Sequence, residues 1–174
     1  MPTAPSLLLD PELTRFLTGG LSINAGSASA AGVPSLCRAF GCRVAPDAGR
    51  LKLFFAAPQA VDLVRDATRS GALAVVFSEP PTHRTIQIKG EDARLEALTD
   101  GDLACVTAYR AAFAQCLVFL GFTEGMVRTL LDCPDEALVG LSFTPSALFN
   151  STPGAQAGTP LTSAPPPPRA PGGP

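Results

Sequence analysis

The run Ser35-Leu-Cys-Arg-Ala-Phe-Gly-Cys-Arg-Val44, the turn Pro46-Asp-Ala-Gly49 and the run Leu51-Lys-Leu-Phe-Phe55 decide the fold. Two apolar runs joined by Pro-Asp-x-Gly predict a β-hairpin, because proline presets the first turn angle and glycine closes the turn at no steric cost. Upstream, Asp10-Pro-Glu-Leu-Thr-Arg-Phe-Leu17 predicts a helix: Asp10 caps it, Pro11 suits its first position, and Leu13, Phe16 and Leu17 share one face. Gly19-Gly20 ends it. Small residues dominate 21–32, which predicts a short strand, a turn near Gly26 and a second strand beginning at Val33. Small side chains in strands let another group approach the backbone closely.

Downstream, Pro58 to Arg69 has helical spacing, with Val61, Leu63, Val64 and Ala67 apolar, and Gly71 stops it. Ala72-Leu-Ala-Val-Val-Phe77, bounded by Gly71 and Pro80-Pro81, predicts a buried strand. Arg84-Thr-Ile-Gln-Ile-Lys-Gly90 alternates, with Ile86 and Ile88 inward and Thr85, Gln87 and Lys89 outward. A short strand through Ala93 and Leu95 follows. Thr99-Asp-Gly-Asp102 then caps a long helix to about Gly121, and Thr123 opens a shorter one, Glu124 to Asp132. Ala137 to Phe143 is the last strand expected, before a loop over 146–158. Strands joined by hairpins, with helices inserted among them, predict an α+β domain built on a small barrel rather than a parallel sheet.

The chain has 174 residues, 46% hydrophobic and 16% charged, with net charge −2. That balance argues against a partner rich in phosphates such as nucleic acid. Eight of the eighteen prolines lie from Pro153 onward, so residues 1–150 form the expected domain and 151–174 a Pro/Gly-rich flexible tail, extended at Pro165 to Pro168. Five cysteines at irregular spacing, with no secretion pattern at the N-terminus, predict reduced, mostly buried thiols in a cytoplasmic protein. With His83 the one histidine, no metal site is expected. Ala104 to Phe122 is strongly apolar but contains Arg110 and Gln115, which predicts a buried helix of a soluble domain and no membrane span.

Signatures of catalysis are sparse. No GxSxG elbow, P-loop or GxGxxG is present, and the paired carboxylates Glu91-Asp92 and Asp100/Asp102 fall at turn or cap positions. Arg38 and Arg43 stand out, because both flank one apolar strand. Guanidinium groups there call for a carboxylate, a second subunit or an anionic ligand, and ion pairs with surface carboxylates are the plainer expectation from composition.

Arg38-Ala-Phe-Gly-Cys-Arg43, the hairpin after it, the helix to Gly71, Ala72 to Phe77 and Arg84 to Gly90 together resemble the pyridoxamine 5′-phosphate oxidase-like family of FMN-binding split barrels. The resemblance implies a six-stranded antiparallel split β-barrel with peripheral helices, a homodimer, and FMN at the subunit interface. The family's R-x-V-L-L-K strand, which lies along the flavin, matches Arg38, Ala39, Phe40, Gly41, Cys42 and Arg43. By that match the two arginines hold the anionic part of the flavin and the Phe40-Gly41 backbone faces its ring. The R-Q-V-x-V-x-G pattern matches Arg84 to Gly90, so that Arg84, Thr85 and Gln87 are implied at the site, and the phosphate contact falls to Arg43, Arg65 or Ser78. Pro58-Gln-Ala-Val-Asp62 stands where the family has an S-x-K phosphate grip, and the chain has no tryptophan. The vitamin B6 reaction itself is therefore not expected. The implied function is a flavin-dependent oxidoreductase of unknown substrate, or alternatively a non-catalytic flavin-binding or stress-related barrel. A barrel for haem, with His83 as axial ligand, ranks last.

Overall fold

In the computed structural model, which describes residues 9–161, the elements follow the order α1 (Pro11–Leu17), β1 (Ser22–Ala28), β2 (Pro34–Arg38), β3 (Cys42–Val44), β4 (Leu51–Ala56), α2 (Val61–Ser70), β5 (Leu73–Ser78), β6 (Thr85–Gly90), β7 (Arg94–Glu96), α3 (Asp100–Phe119), α4 (Glu124–Leu130), a 3-10 turn (Asp135–Ala137), β8 (Leu138–Phe143) and β9 (Ala147–Asn150). The strands form two sheets, β2-β1-β5-β6-β9 and β3-β4-β8-β7. Every neighbouring pair is antiparallel. The α+β class holds, and two antiparallel sheets with four helices are consistent with a split-barrel-like fold. The strand number differs from six: nine strands are described, and no pairing among the described residues joins the two sheets into a closed barrel.

The hairpin is present, with Cys42 opposite Leu53 and Val44 opposite Leu51. The Asp47 carboxylate accepts from the Gly49 N–H at 3.0 Å, which locks its turn. Arg38 and Arg43, however, do not share a strand. Between β2 and β3 the chain crosses from one sheet to the other: the Ala39 N–H donates to Ile23 in the first sheet and the Phe40 N–H to Phe54 in the second. Gly41 makes that crossing at φ +127°, a conformation open to glycine.

Two further expectations are corrected. β1 runs through Gly26 without a break, because Gly26 pairs with Leu36 on one side and Ala74 on the other; the turn falls after it, where the Ser29 N–H donates to Val33 and Gly32 has φ +77°. The expected loop over 146–158 contains β9, which pairs with β6 from Ile86↔Asn150 to Lys89↔Ala147. Residues 151–161, placed in the tail by composition, fold back along β9: Asn150 donates to the Thr159 carbonyl and Leu161 to that of Leu148, both at 2.9 Å. The Pro165–Pro168 segment lies outside the described residues.

The inner faces of the two sheets meet in one core. Ile23, Val75, Phe77 and Ile88 from the first oppose Leu51, Leu53, Phe55, Leu141 and Phe143 from the second, all fully buried. α2 closes one end with Leu63 and Ala67, and Gly71 at φ +75° ends it as a left-handed cap. α3 is long and apolar enough by length and composition to cross a membrane. Here it lies against the sheets and buries only the face carrying Asp102, Val106, Tyr109 and Phe113. The expectation of a buried helix therefore holds for one face alone. Helix and barrel touch closely, since a Cβ on Gly20 would lie 2.6 Å from the Ala112 carbonyl.

Candidate functional site

The first sheet and the α3–α4 pair enclose a cleft of about 630 Å³. Strand pairing builds its floor. Ser22 in β1 lies opposite Ser78 in β5, and Ser78 opposite Thr85 in β6. Arg38, the last residue of β2, reaches the same end, with Nη1 3.5 Å from Ser22 Oγ. Its guanidinium carbon sits 5.6 Å from the centroid of the Phe113 ring, a cation–π geometry. Pro80 and His83 line the rim of the barrel side, and Phe113, Leu117, Leu120, Phe122, Met126, Val127 and Leu130 form the opposite wall.

Arg38 is half-buried, and among the described residues no carboxylate pairs with it. Arg43, Arg50, Lys52, Arg65, Arg84, Arg110 and Arg128 each have one. Tyr109, stacked on Phe113 at 5.6 Å, donates its hydroxyl to the Leu21 carbonyl at 2.8 Å. Burial pushes its phenol well above the ordinary range, while the nearby Arg38 charge pulls the other way. Among the described residues the cleft thus has one cation, two serine hydroxyls on the same strand side, and an apolar opposite wall.

The other residues expected at the site are dispersed. Ala39, Phe40, Gly41 and Cys42 are buried. Their backbone is committed: Ala39 N–H to Ile23, Phe40 N–H to Phe54, and the Gly41 carbonyl accepting from Phe54. α3 covers them, since a Cβ on Gly41 would lie 3.1 Å from that of Tyr109. Three of these backbone groups are thus spent on holding the crossing between the sheets, beneath α3.

Arg43 belongs to a different constellation in the second sheet. Its Nη1 donates to Asp102 Oδ1 at 2.8 Å, while Lys52 Nζ donates to Oδ2 at 2.8 Å. The Thr99 N–H adds a bond at 2.9 Å. Burial alone would raise the Asp102 carboxyl, but the bonds from Lys52, Arg43 and Thr99 outweigh it and hold the group well below the usual carboxylate range. Arg43 follows the plainer expectation, an ion pair.

Arg84 lies over the Phe16 ring at 4.4 Å and pairs with Glu12 at 3.4 Å, near α1. Thr85 is buried and bonded to Ser78 and to the His83 carbonyl. Gln87 lies in the row Val76–Gln87–Phe149, half-buried. Of the ten residues expected, Arg38 and Ser78 line the cleft. Ser22, Phe113 and the α3–α4 wall were missed. The signal available was the apolar run Leu117-Val-Phe-Leu120, which continues past what one buried helix face needs.

No known family pattern matches the sequence, and no curated protein matches it. Solved structures do. HupZ from Group A Streptococcus superposes with TM-score 0.52 at 14% identity, covering 87% of this chain and 100% of that one. A protein from Lactobacillus delbrueckii described as a candidate pyridoxamine 5′-phosphate oxidase superposes with TM-score 0.51 at 13% identity, covering 86% of this chain and 97% of that one. At such identities the likeness is one of fold, and the fold matches that of the FMN-binding split barrels related to pyridoxamine 5′-phosphate oxidase.

Proposed function

We propose that this chain is an FMN-binding protein related to pyridoxamine 5′-phosphate oxidase, with the flavin phosphate held at Arg38. One observation carries the proposal: a half-buried guanidinium on the lining of an apolar cleft, with no carboxylate partner among the described residues. Desolvating a cation is costly unless an anion or strong acceptors offset it. The planar fork of arginine matches phosphate bidentately. Ser22 and Ser78 add hydroxyls at the same end, and a volume of about 630 Å³ suits a cofactor-sized ligand.

These residues fit the group in a pose other than the one the resemblance implies. Arg38 would hold the phosphate, and residues 39–42, covered by α3, would lie away from the ring. When bound, the flavin supplies hydride or electron transfer. The chain supplies position and charge: Arg38 fixes the anionic end, and the apolar wall excludes water from the ring. Among the described residues, His83 is the one titratable side chain besides Arg38 on the lining, so the reaction would be flavin-dependent oxidation or reduction of a substrate needing little acid–base help. Non-catalytic flavin binding is the alternative. We further propose a homodimer in the cytoplasm, supported by the exposed Val33 and Leu36 beside and on the edge strand β2 and by five free thiols.

Titration of the purified full chain with FMN, followed by flavin fluorescence, tests the proposal. Arg38→Ala should weaken binding by about 10- to 150-fold, the equivalent of about 1.5–3 kcal/mol for a charge-assisted hydrogen bond. An affinity unchanged by that substitution refutes the assignment. Haem is a second reading, favoured by His83 lying on the same cleft; a Soret band on adding haemin that disappears in His83→Ala would support it over FMN.

A further inference from the structure

The cleft continues outward into a lip that no flavin phosphate explains. Leu120, Phe122, Met126 and Leu130, on and beside the α3–α4 pair, are large apolar side chains left 42–61% exposed. Leu120, Phe122, Met126 and Leu130 also line the cleft, so lip and cleft are one surface. The charged residues of α4 are turned away from it: Glu124 and Arg128 pair with each other at 2.7 Å and line a separate groove beside Arg110. Among the described residues, the cleft lining from Leu117 to Leu130 therefore carries no charge, and the one cation on the lining is Arg38, on the strand side.

Resting on the flavin reading at Arg38, we propose that this lip is the subsite of the second ligand and that the ligand is an uncharged apolar molecule rather than a phosphorylated or carboxylated metabolite. A charged ligand would have to shed its hydration against side chains that give nothing in return. An apolar one gains roughly 25 cal/mol for each Å² removed from water. The lip runs along the cleft, its four exposed apolar residues lining both. It is concave and continuous with the cleft, as a small-molecule site is.

The full-length protein is titrated with N-phenyl-1-naphthylamine, an uncharged apolar fluorophore, and FMN affinity is measured on the same samples. Met126→Glu and Leu130→Glu, both at exposed positions, weaken the fluorophore at least tenfold. Arg38→Ala weakens FMN at least tenfold and the fluorophore less than twofold. Decanol displaces the fluorophore and pyridoxamine phosphate does not. Fluorophore affinity unchanged in both glutamate variants, or displacement by pyridoxamine phosphate as good as by decanol, overturns the proposal. So does a dimer in sedimentation that Met126→Glu splits, because the lip would then be an interface between copies. Failure of FMN to bind at all, with the fluorophore behaving as expected, overturns the flavin reading and leaves the apolar subsite standing.

Discussion

Asp102→Asn is nearly isosteric and removes one charge from the most deeply buried ion cluster in the chain. The Asp102 side chain is fully buried, and its two oxygens divide their partners: Arg43 on Oδ1, Lys52 and the Thr99 N–H on Oδ2. An asparagine has one acceptor oxygen. If that oxygen faces Lys52 and Thr99, its NH2 group points donor-to-donor at Arg43; if it is flipped, it opposes Lys52 and Thr99. Breaking a buried pair by removing one partner costs about 3–5 kcal/mol. Lys52, only 9% exposed at its side chain, keeps the Ala97 carbonyl at 2.7 Å and Glu96 at 3.4 Å, which places the loss at the lower end, about 3 kcal/mol. For a chain of this size each kcal/mol lowers Tm by about 2–4 °C, so the melting temperature should fall by about 6–12 °C. Urea unfolding at pH 7 gives the free energy directly. A loss under about 1 kcal/mol would refute the view that the cluster is held by desolvated charge pairing. The double variant Lys52→Met with Asp102→Leu should lose less than Asp102→Asn, because apolar replacements leave no buried charge behind and the more exposed Arg43 can be hydrated.

The same carboxylate makes stability depend on acid. Its folded pKa lies below the unfolded value of about 3.9, so its contribution is complete above that value and is lost as pH falls through the folded pKa. Asp92 acts in the same direction: burial would raise it, but bonds from Thr144 and Arg50 prevail. Tm should therefore decline below about pH 5, and the decline should be shallower in Asp102→Asn. Tyr109→Phe strands the Leu21 carbonyl beneath α3; a loss of about 1–3 kcal/mol in urea unfolding is expected, and an unchanged midpoint would contradict it.

Elements with strong local signals were legible in the sequence. The Pro-Asp-x-Gly hairpin and the Thr99 cap stand as expected, because each is fixed by chemistry within a few residues. In β6 Ile86 and Ile88 are inward as expected, but Thr85, expected outward, is buried by its bonds to Ser78 and the His83 carbonyl. The misses came from long-range pairing. Gly26 reads as a turn residue until its neighbours Leu36 and Ala74 are known, and β9 is four residues whose partner lies sixty positions earlier. The site suffered for the same reason. Arg38 and Arg43 look equivalent by spacing, yet Gly41 sends them to different sheets, and only the arrival of α3 from sixty residues away gives Arg43 a carboxylate and leaves Arg38 facing a cleft.

The fold-back of residues 151–161 has a consequence for where the protein can be shortened. β9 would be the bare rim of its sheet if the chain stopped at Asn150, and unpaired rims recruit strands from other molecules. The returning segment occupies the amide of Asn150 and the carbonyl of Leu148 and brings Pro160 against Phe149. Proline, lacking an N–H, breaks the outward row of donors that another strand would need. A version ending after Asn150 would be prone to self-association, whereas one ending after Leu161 would keep its own guard against polymerisation.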